Sequence, residues 1–246
     1  ANWMTKELGV PTLAENPEVE YLLYPGCSGV FDERNKKVTT AVIKLLQKAG
    51  VSFGVLGSEQ TCCGDSARRL GNEYLYQTLA QGNIEQLNEY GVKKIITTCP
   101  HCFNTVKNEY PQFGGNYEVL HHADLLAQLV KQGKLQPQKP VETSCTYHDS
   151  CYLGRYNNIY QEPRAILASI PGLQNKEMER NLAKGFCCGA GGGRMWLEEV
   201  TGERINVKRT EQALATGAGM IVSACPFCLT MMDDGVKMKE VDATVQ

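Results

Sequence analysis

The chain has 246 residues, of which 42% are hydrophobic and 21% are charged, and its formal net charge is −2. This composition excludes a disordered chain, provides a sizeable core and suits two domains of about 100–150 residues each. A net charge near zero argues against a nucleic-acid-binding surface. The unusual feature is the eleven cysteines, which are too sparse for a small disulfide-stapled scaffold.

Predicted strands and helices alternate along the first half of the chain. In chain order they are strand Val19–Tyr24, helix Asn35–Ala49, strand Val51–Leu56, a long helix Arg68–Tyr90 that is broken or joined near Gly82, strand Lys94–Thr98, strand Tyr117–His121 and helix Asp124–Lys131. The predicted apolar face of the first helix is Val38, Ala41, Val42, Leu45 and Leu46. Alternation of this kind predicts a parallel sheet with helices on its faces.

The second half of the chain repeats the first. The matching segments are Glu20–Cys27 with Ser144–Cys151, Thr61–Gly64 with Phe186–Gly189, and Gly91–Cys102 with Gly217–Cys228. Three matches in the same order, at nearly constant spacing, indicate two copies of one unit of about 125 residues. The predicted fold class is therefore α/β, with two tandem pseudo-symmetric repeats, each a small parallel sheet flanked by helices.

The predicted domains are residues 1–134 and 141–246, joined by the Pro- and Gln-containing segment Gly133–Pro140. The second copy is incomplete at its C-terminus, because Val241–Gln246 matches only the start of the fourth strand. Since the chain also lacks an initiator Met, we expect it to be part of a longer polypeptide. The uncharged stretch Ala213–Met232 contains Gly and Pro, so it is predicted to form a helix end, a strand, a loop and a helix start rather than a membrane span.

Ten of the cysteines recur as five per unit, in the order C-x34-CC-x35-C-x2-C and C-x35-CC-x36-C-x2-C. They are Cys27, Cys62, Cys63, Cys99 and Cys102 in the first unit, and Cys151, Cys187, Cys188, Cys225 and Cys228 in the second. In open parallel sheets the binding crevice lies beyond the carboxyl ends of the strands, so we expect the five to converge there. Cys145 falls inside a strand pattern and is predicted to be buried and to ligate nothing.

Three kinds of cysteine site compete for this pattern. Disulfides are unusual in a reducing compartment and leave an odd cysteine in each unit. Zinc is the stronger rival, although its closed tetrahedral sites use four ligands and leave the fifth cysteine unexplained. An ordinary cubane cluster also uses four thiolates, so five per unit favour an iron–sulfur cluster of another shape.

The pattern of one cysteine, then CCG, then C-x2-C in two copies resembles the cysteine-rich (CCG) domain family, which includes the catalytic subunit of heterodisulfide reductase. The resemblance implies two clusters of 4Fe–4S type, non-cubane, held by the ten cysteines; zinc in one repeat, or in protein prepared in air, stays open. The strings YHDSCYLGRYNNIY and CCGAGGGRMW are similar to the C-terminal part of membrane-bound iron–sulfur oxidoreductases linked to electron-transfer flavoprotein.

That resemblance implies an oxidoreductase that relays electrons between a redox partner such as electron-transfer flavoprotein and a membrane quinone or haem domain. Its partners are then other domains or subunits of a membrane-associated complex. No secretory signal opens the chain, so we expect a cytoplasmic location with membrane association through the rest of the polypeptide. Two alternatives remain: a cluster-based disulfide reductase, and a zinc-stabilised structural or partner-binding domain without redox function.

Two further features lie beside the cysteines. His148, three residues before Cys151, is either a candidate catalytic proton donor or a strand-end histidine bonded to the backbone. The glycines of Gly189–Gly193 follow two cysteines instead of a strand, so they are not a dinucleotide fingerprint. We expect them to let the backbone approach a cluster and donate N–H groups to its sulfur, ahead of a helix beginning at Arg194.

Overall fold

A four-stranded parallel sheet forms the centre of each of the two units into which the chain divides after Leu125. The computed structural model describes residues 2–197 and 202–246. The first sheet has the strand order β2-β1-β3-β4 and the second β6-β5-β7-β8, and all strand pairs are parallel. Because the order and direction of the strands are the same, the predicted tandem α/β repeat is confirmed.

The first unit holds the first sheet and its flanking helices, and the last of these helices, His122–Lys131, continues past Leu125 into the second unit. In chain order the elements are α1 (Trp3–Leu8), β1 (Tyr21–Tyr24), α2 (Gly26–Phe31), α3 (Glu33–Lys48), β2 (Phe53–Gly54), α4 (Asp65–Arg69), α5 (Glu73–Glu89), β3 (Lys94–Thr97), α6 (Pro100–Asn104), β4 (Glu118–His121) and α7 (His122–Lys131). A π-helical stretch, Thr105–Glu109, continues α6.

The second unit repeats this plan, with fewer regular helices among its described residues. Its elements are β5 (Thr143–His148), α8 (Gln161–Ala168), β6 (Leu173–Asn175), α9 (Ile205–Leu214), β7 (Met220–Ser223), α10 (Pro226–Met238) and β8 (Thr244–Val245). The prediction for Ala213–Met232 is confirmed, since β7 lies between the end of α9 and the start of α10. The described segments contain no helix that is both long and apolar enough to cross a membrane.

The long helix predicted for Arg68–Tyr90 is wrong in one respect. It is two helices, and they separate at Leu70–Asn72 rather than near Gly82, which lies inside α5. Gly71 has a φ of +87°, which an L side chain rarely adopts, and it ends α4. Asn72 then caps α5 by accepting a hydrogen bond from the Leu75 N–H at 3.0 Å.

The predicted helix at Arg194 is also wrong for the part that the structure describes. Gly191–Trp196 forms a short 3-10 stretch that is interrupted at Gly192 and Gly193, whose φ angles are +68° and +74°. Leu197 is extended. The glycines thus favour an irregular turn over an α-helix. The continuation of this predicted helix, residues 198–201, lies outside the described residues.

Candidate metal centres

The cysteines of the first unit lie at the carboxyl edge of its sheet. Cys27 follows β1 in the first turn of α2, and Cys99 follows β3 as the extended residue before α6. β1 lies between β2 and β3, so the strand order reverses at β1 and opens a crevice beyond β1 and β3. Cys62 and Cys63 lie in the loop after β2, and Cys102 lies in the first turn of α6.

The five thiols of this unit form one connected set. Hydrogen bonds between side chains join Cys27 to Cys62, Cys62 to Cys63, Cys63 to Cys102 and Cys102 to Cys99. The thiols of Cys27 and Cys63 lower the pKa of Cys62 by hydrogen bonding to its sulfur. The pKa of Cys27 is raised, because its thiol is bonded to Cys62 and is removed from water. Hydrogen bonds from neighbouring thiols therefore stabilise negative charge within this set.

Two glycines allow this crowding. Gly64, the glycine of the CCG motif, has a φ of +88°, and its N–H donates to Cys62 Sγ at 3.4 Å. Gly26 has a φ of +76°, and a Cβ there would lie 2.7 Å from Cys102 Sγ. The first glycine therefore directs a donor at a sulfur, and the second leaves room for one.

The second unit brings its five cysteines together in the same way. Side-chain hydrogen bonds join Cys187 to Cys188, Cys188 to Cys228 and Cys228 to Cys225. The pKa of Cys187 is raised by its hydrogen bond with Cys188, by burial and, electrostatically, by Cys188 and Cys151. Hydrogen bonds from Cys187 and Cys228 lower the pKa of Cys188 well below its usual range.

The backbone around these cysteines also repeats that of the first unit. Cys225 is the extended residue before α10, and Cys228 lies in the first turn of that helix. Gly189 has a φ of +92°, and its N–H donates to Cys187 Sγ at 3.2 Å. In each unit, the CCG glycine thus supplies a backbone donor to a cysteine sulfur.

Cys145 differs from these cysteines in its position and its hydrogen-bond partner. It is fully buried within β5, and its thiol donates to Asn175 Oδ1 at 3.8 Å. Burial raises the pKa of this thiol. Its position in the strand is the one that the sequence predicted.

His148 ends β5 and faces the second cysteine set. Its side chain is 1% exposed and is hydrogen-bonded to Cys188, and ligand atoms of His148, Cys188 and Cys228 all lie within 4.8 Å of one another. Its Nδ1 accepts a hydrogen bond from Arg209 Nε at 3.0 Å. The side-chain partners of this strand-end histidine are thus an arginine and a thiol rather than the backbone.

The first set is bordered instead by a network of paired charges. His101 Nδ1 lies 2.7 Å from Asp65 Oδ2, and Asp65 also accepts from Arg69 Nε at 3.1 Å. Glu109, in the π-helical stretch, accepts from Arg69 and from Arg68 Nη1, the latter at 2.7 Å. Each acidic group here has a basic partner, so the network carries little net charge.

The outer edges of the two sets differ in access. Cys27 and Cys62, both partly exposed, line a cavity of about 210 Å³ beside Phe31, whose side chain is 74% exposed. The corresponding cavity at Cys151 and Cys187 is only about 10 Å³. Arg155, the residue that matches Phe31, closes it by donating to the Gly185 carbonyl at 2.8 Å.

The donor sets fit a soft metal or a metal–sulfur cluster. Each consists of five thiols linked from one to the next, mostly removed from water, and thiolates are the ligands of zinc and of iron–sulfur clusters. Without a cation, five adjacent sulfurs cannot all be thiolates, which is why their pKa values split. The number of donors exceeds the four of a closed zinc site.

Sequence reasoning missed Arg209 beside the second set, and Asp65 and Glu109 beside the first. Arg209 occupies the buried stripe of α9 with Asn206, Thr210 and Ala213. Only one residue of this stripe is apolar, so hydrophobic periodicity gives no signal for a buried arginine. Asp65 and Glu109 carried no signal either, because their partners come from other segments of the chain.

The chain belongs to the cysteine-rich domain family CCG, whose model matches residues 21–107 and 145–233. The two matches coincide with the two structural repeats, and each includes all five cysteines of its unit.

Three relatives illustrate the similarity. An EtfAB:quinone oxidoreductase of Syntrophomonas wolfei is 56% identical over 94% of this chain and 33% of its own length. A probable iron-sulfur-binding oxidoreductase, FadF, of Bacillus subtilis is 52% identical over 100% of this chain and 36% of its own length. One subunit of the dihydromethanophenazine:CoB–CoM heterodisulfide reductase of Methanosarcina mazei is 34% identical over 100% of this chain and 60% of its own length. The chain thus spans about a third of the first two relatives.

Proposed function

We propose that this chain is the iron–sulfur electron-transfer part of a larger oxidoreductase, with one non-cubane 4Fe–4S cluster in each unit. The observation that carries the proposal is the convergence of five thiols at the carboxyl edge of each parallel sheet. When bound, such a cluster supplies one-electron transfer, with a potential set by charge, hydrogen bonds and exposure.

The residues of the chain have separate tasks in this proposal. The ten cysteines hold the clusters, and the N–H groups of Gly64 and Gly189 donate to cysteine sulfurs and so favour the thiolate form. Buried sulfurs such as Cys63 and Cys188 keep water from the inner side of each site. Partly exposed sulfurs such as Cys27 bring the outer side within reach of a redox partner.

We further propose that the partners are the other domains of the same polypeptide or complex, and electron-transfer flavoprotein. The support is the name of the Syntrophomonas wolfei relative, which this chain matches at 56% identity. Electrons would then pass to a membrane quinone or haem domain, and the complex would be membrane-associated through parts outside this chain.

The test is the iron and acid-labile sulfide content of protein purified without oxygen, combined with electron paramagnetic resonance. Cys188→Ser should abolish the signal of the second unit and leave that of the first, and Cys63→Ser should do the reverse. Cys145→Ser is the matched control, because it removes a buried thiol outside both sets. Colourless protein that contains stoichiometric zinc, or signals lost in Cys145→Ser, would refute the proposal.

A second candidate function, disulfide reduction, is favoured by the cavity of about 210 Å³ that opens on Cys27 and Cys62. The S–S bond of a small disulfide would break there, taking up two electrons and two protons to give two thiols. The measurement is the consumption of reduced viologen dye with a disulfide as acceptor. No turnover by protein that still accepts electrons from the dye excludes this second function and leaves the first standing.

A further inference from the structure

Arg209 is a fully buried cation whose hydrogen-bond acceptors among the described residues are all neutral. It lies on α9 with 0% exposure, and its Nε donates to His148 Nδ1 at 3.0 Å. Its Nη1 donates to the Arg180 carbonyl at 2.9 Å and to Gln212 Oε1 at 2.8 Å. Its Nη2 is buried and has no hydrogen-bond partner in the part of the chain that the structure describes.

A buried guanidinium is costly unless an anion compensates it. Burial lowers the pKa of Arg209 to about 10. Asp149 is the carboxylate that acts on Arg209 electrostatically, but it is already occupied by Arg164, at 2.8 and 2.9 Å, and by the Leu182 N–H at 2.8 Å. Cys188 and Cys228 also act on Arg209 electrostatically, and both carry negative charge when ionised. Within the described ranges, the counter-charge is therefore supplied by the cysteine set of the second unit.

Arg209 also decides the tautomer of His148. An arginine side chain only donates, so His148 Nδ1 must accept and the neutral ring carries its proton on Nε2. That N–H is the one group of the ring left to donate to Cys188, to which His148 is hydrogen-bonded. His148 therefore acts as a donor to a sulfur, and ligation through Nε2 would require the loss of its remaining proton.

The first unit lacks both groups. Tyr24 stands at the position of His148, three residues before the first cysteine, and its hydroxyl donates to the Thr61 carbonyl at 2.5 Å. Asn83 stands at the position of Arg209, with the same spacing to Cys99 as Arg209 has to Cys225. Its Nδ2 donates to the Cys62 carbonyl at 2.9 Å. Both residues are neutral and bond to the backbone rather than to a sulfur.

We propose that Arg209 and His148 form a positioning pair specific to the second unit, which holds positive charge against Cys188 and raises the reduction potential of that unit's cluster above that of the first. This inference rests on the proposed function. A cation and an N–H donor near a cluster sulfur stabilise the more negative, reduced state.

The test is a potentiometric titration of the whole protein, followed by electron paramagnetic resonance, with the signal of the second unit identified as the one lost in Cys188→Ser. Arg209→Gln should disfavour reduction of that cluster about tenfold, or about 59 mV for a one-electron couple. Arg209→Lys keeps the charge and should shift it less. The control Lys208→Gln removes an equal charge from an exposed position on the same helix and should shift neither signal.

Because Arg209 is buried, the test includes a second variant for the case in which Arg209→Gln does not accumulate as folded protein. The second variant is His148→Tyr, which introduces the residue type that the first unit has at the matching position, Tyr24. A lower potential for the second signal alone supports the inference. An unchanged potential in His148→Tyr, or equal shifts of both signals, overturns it. Wild-type protein without iron would instead overturn the proposed function. The iron content of the wild type is therefore measured first, before any variant is titrated.

Discussion

Replacing the CCG glycine of the first unit by alanine tests how the backbone builds that site. Gly64 has a φ of +88°, a region that costs an L residue about 1–2 kcal/mol. The new Cβ would also lie 2.8 Å from Tyr76 Cδ2. The Tyr76 ring is buried, with Arg68 4.5 Å from its centroid and Phe113 packed edge-on at 5.9 Å, so it cannot move away freely. Overpacking of this kind adds about 1–3 kcal/mol.

Gly64→Ala should therefore lower the free energy of unfolding by about 2–5 kcal/mol. Gly71→Ala is a matched control, because Gly71 has a φ of +87° but nothing within 4 Å of the added Cβ. It should cost only the backbone part, about 1–2 kcal/mol. The difference between the two variants isolates the collision with Tyr76.

The assay is anaerobic denaturant unfolding followed by circular dichroism, with iron content and electron paramagnetic resonance measured on the same samples. Since strain and the collision with Tyr76 would displace the backbone N–H that donates to Cys62 Sγ, Gly64→Ala should also lose the first unit's signal and keep the second's. Equal unfolding midpoints and equal iron content in Gly64→Ala and Gly71→Ala would refute this account of the motif.

Three further predictions concern single side chains. Cys145→Ser should cost about 1–3 kcal/mol of unfolding free energy, because a hydroxyl replaces a thiol in a strand core, and a denaturant midpoint equal to wild type would contradict this. Glu109→Gln leaves two arginines of α4 without their shared carboxylate and should cost about 2 kcal/mol in the same assay, whereas Glu33→Gln, at an exposed pair with Lys36, should cost under about 0.5 kcal/mol. Burial lowers the pKa of His122 to about 4, so its ring should stay neutral in the folded protein as pH falls through 6.5. The free energy of unfolding should therefore fall as the pH is lowered from about 6.5 to 4. A ring that titrates near 6.5 by nuclear magnetic resonance would contradict the burial.

The sequence predicted the sheet and the cysteine sites because both rest on repetition. Strand segments occur at the same spacing in the two copies, and the pairs Leu22 with Ile95 and Thr146 with Ile221 have matching registers. A cysteine that follows a parallel strand is brought to the carboxyl edge by topology alone. Convergence therefore needed no knowledge of side-chain packing.

What the sequence did not reveal depends on polar residues that point inward. Val38 and Leu45, assigned to the apolar face of α3, are 36% and 37% exposed. The buried face instead includes Asn35, which donates to Ser28 Oγ at 2.9 Å, and Thr39, which donates to the Gly29 carbonyl at 3.0 Å. These bonds tie α3 to the helix that carries Cys27, and hydrophobic periodicity cannot detect them.

The two copies keep the same cysteines but balance their charge differently. Where the first unit has Asp65, His101 and Glu109, the second has Ala190, Phe227 and Gly235 at the matching positions. A side chain at Gly235 would approach Thr210 Oγ1 to 2.1 Å, so close packing of α9 and α10 excludes a carboxylate there.

Among the described residues of the second unit, Asp149 acts on Arg209 electrostatically but is paired with Arg164, which leaves the cysteine set as the other source of negative charge beside Arg209. The first unit pairs its charges among themselves. Two centres in equal surroundings would have equal potentials and would give an electron no preferred direction. The same ligand set lies beside paired charges in the first unit and beside a buried cation in the second, and this difference would make the two potentials unequal. On the proposed function, that inequality is the physical requirement for a relay with a direction.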